Sequence, residues 1–303
     1  MTEHSLQLLH KNLYIVTVLS VFQAKLTRRY AEANEMLKLN PIKCEKIWGY
    51  ELWIASTHKA ACQKEFFEHL AEEYPLLVKI IHSDDFLSVQ VHPDDKTALL
   101  LEGDGSRGKT ECWYILDAEP DSEIIYGFNN HYTHEEIERA ITEGRLEALL
   151  RRQKVSKGDF IFIPAGTVHA IGGGLTLLEV QQSCDITYRL YDWNRGRELH
   201  IEKSLKSIAQ TVQKQITPLE SRFECPYFSL EKKTLNGGWS FLVSGESKTK
   251  SCTLLFIETG KGIIKCGEER QKVAEHEIFA LFSGEKITVE GNISVIKIDF
   301  VSH

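Results

Sequence analysis

From Pro75 onward the sequence is broken into short runs of Val, Ile, Leu, Phe and Tyr, and this punctuation limits the fold more than any other feature. PLLVKII (75–81), LSVQVHP (87–93), ECWYILDA (111–118), SEIIYGF (122–128), DFIFIPA (159–165), GLTLLEVQQ (174–182) and ITYRLYDW (186–193) each read as a strand. After Gln215 come YFSLEKKTL, CTLLFIET, GIIKC, EIFALFS, EKITVE and ISVIKIDFV, with Gly-containing turns and no helical stretch of any length. Short strands at close spacing indicate an antiparallel sandwich or barrel. The expected fold is mainly β, with a few helices.

Local signals suggest how the runs connect. HSDDF (82–86) reads as the link of a hairpin-like pair between 75–81 and 87–93, and Glu119-Pro120-Asp121 as the turn pairing 111–118 with 122–128. Residues 131–155 keep roughly a helical period, interrupted near Gly144, and Thr133 with Glu136 three residues on forms a capping-box pattern. LHIEKSLKSIAQTVQKQ (199–215) also looks helical, and Thr217-Pro218 follows it. The predicted boundary lies near 212–218, with a first domain over 36–214 and a second over 215–303. Residues 1–35 are set aside as an extension that is not part of the fold. LYIVTVLSVF (13–22) is too short to span a bilayer and lacks a clean cleavage site, and Met36 is read as the natural start.

The 42% apolar content supports a sizeable core. A formal charge of −7 argues against non-specific nucleic-acid binding, although a few converging Lys and Arg can still receive an anion. The seven cysteines are scattered, odd in number and free of any C-x-x-C pair. They read as thiols of a reducing cytosol rather than as disulfides or a thiolate zinc site. The expectation is a cytoplasmic protein with no membrane and no nucleic-acid partner. Nothing in the residues speaks to oligomeric state.

Chemistry enters through side chains that share a face. Residues two apart on a strand point the same way, so Gln90 and His92 project together while Val89 and Val91 face the opposite side. Lys109 and Glu111 stand in the same relation, and a carboxylate inside a barrel is costly unless paired, hydrogen-bonded or metal-bound. GDFIFIPAGTVHAIGGG (158–174) reads as turn, strand, tight turn and a return strand bringing His169 inward. Gly172 to Gly174 suit a sharp bend or a close backbone approach. Each feature alone has a plain structural reading, since most strand histidines are satisfied by hydrogen bonds and bind nothing.

The spacing G-x5-P-x-G-x2-H (158–169) is similar to a motif of the cupin superfamily. SVQVHPDD, GKTECWYIL, IPAGTVHAIGGG and DITYRLYDWNRGRELH occur in that order, and with IWGYELW (47–53) they resemble the type I mannose-6-phosphate isomerases of the short bacterial kind. The likeness runs from Leu37 to near residue 210, with a fainter second part. It implies a cupin barrel (a double-stranded β-helix or jelly roll) followed by a degenerate cupin-like barrel. It implies a metal site of Gln90, His92, Glu111 and His169 holding one Zn²⁺ per chain. Two imidazoles, a carboxylate and an amide oxygen would also accept Mn²⁺, Fe²⁺ or Co²⁺. It implies interconversion of mannose 6-phosphate and fructose 6-phosphate through an enediol, with a sugar phosphate as the small-molecule partner. By the same resemblance Arg189 belongs to the active site, Arg195 lies near it for the phosphate, and Lys109 stands close to the metal. Lys109 and Arg189 would face the phosphate or the enediolate. Glu179 and Asp185 match acidic positions near the site, and the general base stays open between them and a metal-bound water. Arg197 and Asp192 read as solvated loop residues. The long helical insertion of the eukaryotic members is missing, which leaves the cleft walls open.

EIFALFSGEKITVEG (277–291) imitates the first barrel's turn–strand–turn, with Ser283-Gly284 for Ala165-Gly166 and Ile287 where a histidine would stand. The second barrel is therefore expected to hold no metal, and His276 and His303 to face solvent. Two other readings compete with the isomerase. Another metal-dependent cupin enzyme, such as an iron dioxygenase, would more commonly show His-x-His where Gln90 stands. A non-catalytic sugar-phosphate-binding cupin need not keep Lys109, Glu111, Asp185 and Arg189 together.

Overall fold

In the computed structural model the short runs become strands of three antiparallel sheets. Residues 36–209, 216–243, 252–282 and 286–301 are described. The expectations placed on residues 1–35, on 210–215, on Ser283-Gly284 and on His303 lie outside them.

One seven-stranded sheet runs in the order Thr217–Pro218, Asp159–Ile163, Glu111–Ala118, Leu175–Gln182, Leu76–Ser83, Gly49–Ala55 and Ile42–Lys46. A five-stranded sheet, in the order Tyr188–Tyr191, Val89–Val91, His169–Ile171, Glu123–Phe128 and Leu150–Lys154, packs against it. Trp113, Ile115, Ile161, Ile163 and Leu177 of the first meet Ile124, Tyr126 and Ile171 of the second in one apolar cluster.

Neither expected hairpin forms. Leu76–Ser83 and Glu111–Ala118 lie in the seven-stranded sheet, whereas Val89–Val91 and Glu123–Phe128 lie in the five-stranded one. HSDDF and Glu119-Pro120-Asp121 carry the chain across the barrel edge instead of folding it back in plane. A turn signal reports that the chain reverses, not which layer it enters. From Asp159 the chain changes sheet at each step, through His169–Ile171, Leu175–Gln182 and Tyr188–Tyr191, and this alternation makes the jelly roll. At one corner a Cβ on Gly172 would stand 2.1 Å from Glu123 O, so only glycine lets these strands approach.

The 131–155 segment is not one helix. Thr133 and Glu136 do form the capping box, on a helix His134–Thr142. Gly144 then takes φ 67, a 3₁₀ turn spans Leu146–Leu149, and Leu150–Lys154 joins the five-stranded sheet. The apolar period survived the change because Leu146 and Leu150 stay buried beside Ile137 in the cluster that covers the outer face of that sheet. Of 199–215, the described helical part is Ile201–Ser207.

The third sheet is built from Met36–Leu39, Ile278–Phe282, Cys252–Cys266, Lys286–Phe300, Phe228–Leu242 and Arg222–Glu224, with Glu269–Ala274 paired to Cys252–Cys266. Leu230, Leu254, Phe256, Ile278 and Ile296 on one face share a core with Tyr114, Leu116, Leu178 and Val180 of the seven-stranded sheet. Its other face encloses Leu255, Ile264, Phe279, Ile287 and Val295. Ile287 is thus a core residue in the place that corresponds to His169, and His276 is exposed as expected. Among the described residues no helix is long and apolar enough to cross a membrane.

Candidate metal centre

The pleat answers why a strand carries an amide and an imidazole on one face. Val89 and Val91 of the Val89–Val91 strand pack outward with Ile125, Ala170 and Leu190, so Gln90 and His92 turn to the barrel interior. His169 lies directly opposite Gln90 on the neighbouring strand, and Arg189 lies opposite Gln90 on the other side. One row across the five-stranded sheet therefore reads His169, Gln90, Arg189. Glu111 opens its own strand on the facing sheet, and Cys112 beside it points into the opposite core.

His92, Glu111 and His169 converge, with one ligand atom from each lying within 4.8 Å of the others. Their exposures are 1%, 0% and 0%. His169 Nε2 is 3.3 Å from Glu111 Oε1, and His92 Nε2 is 3.6 Å from Oε2. Each ring donates its Nδ1–H to a carbonyl, His92 to Ile186 O and His169 to Thr167 O, both at 2.8 Å. A carbonyl only accepts, so Nδ1 carries the proton and Nε2 turns its lone pair to the shared centre. Burial and the Lys109 charge hold His92 well below its usual range, and burial lowers His169 to about 4. Both rings are neutral, the form that ligates a metal. Gln90 Nε2 stands 3.3 Å from His169 Nε2, and a half-turn of that amide presents its oxygen instead.

The donor set is built for a positive charge. Neither Glu111 oxygen accepts a hydrogen bond of good geometry, although Lys109 Nζ stands 2.7 Å from Oε2 and 3.1 Å from His92 Nε2. Burial pushes the Glu111 carboxyl up and the Lys109 ammonium pulls it back. Two neutral imidazoles, an under-satisfied buried carboxylate and an amide, without a thiolate, fit a borderline divalent ion. Inside the first barrel the chain gathers a buried cluster that could hold a metal ion.

The other expected site residues are placed differently. Glu179 is 3% exposed; its Oε1 accepts from Lys79 Nζ at 3.0 Å and its Oε2 from Trp113 Nε1 at 3.1 Å. Trp113 in turn meets the His169 ring edge-on at 5.4 Å, so Glu179 sits one layer behind the cluster. Burial raises the Glu179 carboxyl, but Lys109 and Lys79 lower it further than burial raises it. Asp185 is exposed, next to the Ile186 carbonyl that orients His92, with Oδ1 3.8 Å from His58 Nε2. Arg189 sends Nη1–H to Glu198 O at 2.7 Å and leaves a buried Nε without a partner. Arg195 meets Asp192 at 3.1 Å and Asp85 at 3.6 Å.

The solvated-loop reading of Asp192 is overturned, whereas the Arg197 side chain stays 33% exposed. Asp192 is 3% exposed and holds both Arg195 and Arg197, while Trp193 Nε1 donates to Leu87 O at 2.6 Å. The loop is pinned because its charges neutralise one another inside it. Sequence reasoning passed over Lys79 and His58. The lone lysine inside PLLVKII was the available signal, since Lys79 pairs across the sheet with Glu179 and lies over Trp53. His58, 7% exposed, had no local signal at all.

Comparison with known proteins agrees with this geometry. The model "Phosphomannose isomerase type I, catalytic domain" matches residues 43–143. The chain is 38% identical to mannose-6-phosphate isomerase ManA of Bacillus subtilis, covering 78% of this chain and 89% of that one. It is 36% identical to the mannose-6-phosphate isomerase of Streptococcus mutans, covering 75% and 71%. The crystal structure of the Bacillus subtilis mannose 6-phosphate isomerase matches with a TM-score of 0.74 at 29% identity, over 87% of this chain and 99% of that one. A zinc-bound mannose 6-phosphate isomerase shares the fold with a TM-score of 0.70 at 16% identity, over 88% and 100%. With two relatives above a third identical over most of their length, and a cupin barrel whose interior gathers His92, Glu111 and His169, the chain belongs to the type I phosphomannose isomerase family.

Proposed function

We propose that the chain interconverts mannose 6-phosphate and fructose 6-phosphate in a metal-dependent aldose–ketose isomerisation. The observation that carries the reading is the convergence of His92, Glu111 and His169 with both imidazole Nε2 lone pairs turned to one point. Zn²⁺ is the ion assigned to these residues and Gln90, on the N/O donor set and the absence of thiolate. When bound it supplies Lewis-acid polarisation of the sugar oxygens.

The chain's own residues supply the rest. Isomerisation removes a proton from the carbon beside the carbonyl and returns it to the neighbouring carbon, with an enediol between. Lys109, 5% exposed and positively charged beside Glu111, stabilises the negative oxygen that develops. Arg189 lies in the row of Gln90 and His169 with an unpartnered Nε, which favours its binding an anionic part of the substrate. Arg195, in the loop that follows the Tyr188–Tyr191 strand, adds positive charge. Of the two acidic candidates, Asp185 suits the base better. Both Glu179 oxygens are engaged and its carboxyl is held low, whereas Asp185 is exposed and stands beside the His58 ring. Glu179 then serves by fixing Lys79 and Trp113. A sugar phosphate as substrate and a cytoplasmic location are part of the same proposal.

The test follows fructose 6-phosphate formed from mannose 6-phosphate by protein loaded with zinc and by protein stripped with chelator. Turnover in the loaded sample, none after stripping, and none with unphosphorylated mannose are expected. A zinc-loaded sample without turnover rejects the proposal.

A further inference from the structure

Lys109 precedes the strand Glu111–Ala118, and three consecutive amides there are pinned from outside that strand. Gly108 N–H donates to Asp95 Oδ1 at 2.8 Å, Lys109 N–H to Pro93 O at 3.0 Å, and Thr110 N–H to Gln182 Oε1 at 2.9 Å. The two side chains that do this are tied together, since Gln182 Nε2 donates to Asp95 Oδ1 at 3.1 Å. The Tyr227 hydroxyl then donates to Asp95 Oδ2 at 2.8 Å. Gly108 presses against Asp95 so closely that a Cβ would lie 2.5 Å from Asp95 N. Gln182 is 6% exposed, so the inner half of this clamp is shielded from water, while Asp95 and Tyr227 close it from the rim.

We propose that Asp95, Gln182 and Tyr227 are positioning residues for Lys109. They fix the main chain on both sides of it, so that a long, rotamer-rich side chain keeps its ammonium beside His92 and Glu111. Through Tyr227 the C-terminal half of the chain takes part in the site without supplying a ligand. This rests on the reading of Lys109 as a charge-stabilising group. A lysine anchored at a wandering Cα would lose that placement, and a displacement of about 1 Å in a catalytic group can cost about a hundredfold in rate.

The experiment measures kcat, KM for mannose 6-phosphate, bound zinc and Tm for full-length, zinc-loaded variants. Asp95→Ala and Gln182→Met are expected to lower kcat by about 10- to 100-fold, with KM and zinc content within about twofold of wild type. Asp95→Asn, which keeps an acceptor for Gly108 N–H, recovers most of that loss. Tyr227→Phe removes one hydroxyl, keeps the ring, and lowers kcat by roughly fivefold, so the idea stays testable if the stronger variants fold poorly. On a Lys109→Met background the Asp95 and Tyr227 substitutions should cause no further loss. Wild-type kcat in Asp95→Ala and Tyr227→Phe while Lys109→Met is strongly impaired would overturn the clamp alone. An equal fold-loss with and without Lys109 would also overturn it, as a general structural effect. Wild-type kcat in Lys109→Met would remove the reading of Lys109 and the clamp with it.

Discussion

His92 and His169 each commit one ring nitrogen to a backbone carbonyl, and that commitment leaves the other nitrogen's lone pair available to the metal assigned to the site. His169→Ala should therefore abolish bound zinc and lower kcat by more than about a hundredfold, with near-native circular dichroism. Behind the cluster, Lys79 and Glu179 are 6% and 3% exposed and joined at 3.0 Å. Removing one partner of a buried ion pair strands the other, so Lys79→Met should reduce stability by about 3–5 kcal/mol in urea unfolding. Because Glu179 is held below its ordinary 4.5, its contribution is present above that pH and is lost as the pH falls below it. The urea midpoint of the wild type should drop more steeply between about pH 5 and about pH 2 than that of Glu179→Gln; parallel curves would contradict the assignment. At this scale the convergence of His92, Glu111 and His169, with Gln90 beside them, was legible because spacings of two and the Pro-x-Gly-x2-His turn are local. Lys79 and His58 were not, because their partners lie far along the chain: Lys79 and Glu179 are 100 residues apart.

Strand runs were legible as elements and misleading as partners. Period-2 patterning is the same whether a neighbour sits in plane or across a barrel, so 75–81 with 87–93 looked like a hairpin and is a sheet-to-sheet crossing. The helical period over 131–155 likewise hid a turn and a strand, since one buried stripe can be kept by helix, 3₁₀ turn and strand in succession. Glycine carries the information that the patterning lacks. Gly172 N–H donates to Glu123 O at 3.0 Å, and a Cβ would enter that same contact. Gly172→Ala should destabilise the fold by about 1–3 kcal/mol and displace the return strand that bears His169. Thermal unfolding and zinc affinity measured together would show both losses; an unchanged Tm would refute the packing argument.

The third sheet covers the outer face of the seven-stranded sheet with a shared apolar core, and Met36–Leu39 enters it from the other end of the chain. A chain ending at Ala209 would leave Tyr114, Leu116, Leu178 and Val180 uncovered, a patch larger than soluble monomers tolerate. Such a truncation should be insoluble, or soluble without a cooperative unfolding transition. That Ile287 faces a core was legible in its apolar run; the depth to which the third sheet packs against the seven-stranded sheet was not, because apolar strands do not announce which sheet they will cover. The account as a whole depends on one ion among His92, Glu111, His169 and Gln90. Metal content by mass spectrometry, taken on the same samples as the mannose 6-phosphate assay, tests it most directly. Wild-type protein should hold about one zinc per chain and turn over substrate, and Glu111→Ala should hold none and be inactive. Full activity in wild-type protein shown to contain no metal, or one zinc per chain retained by Glu111→Ala, would contradict it.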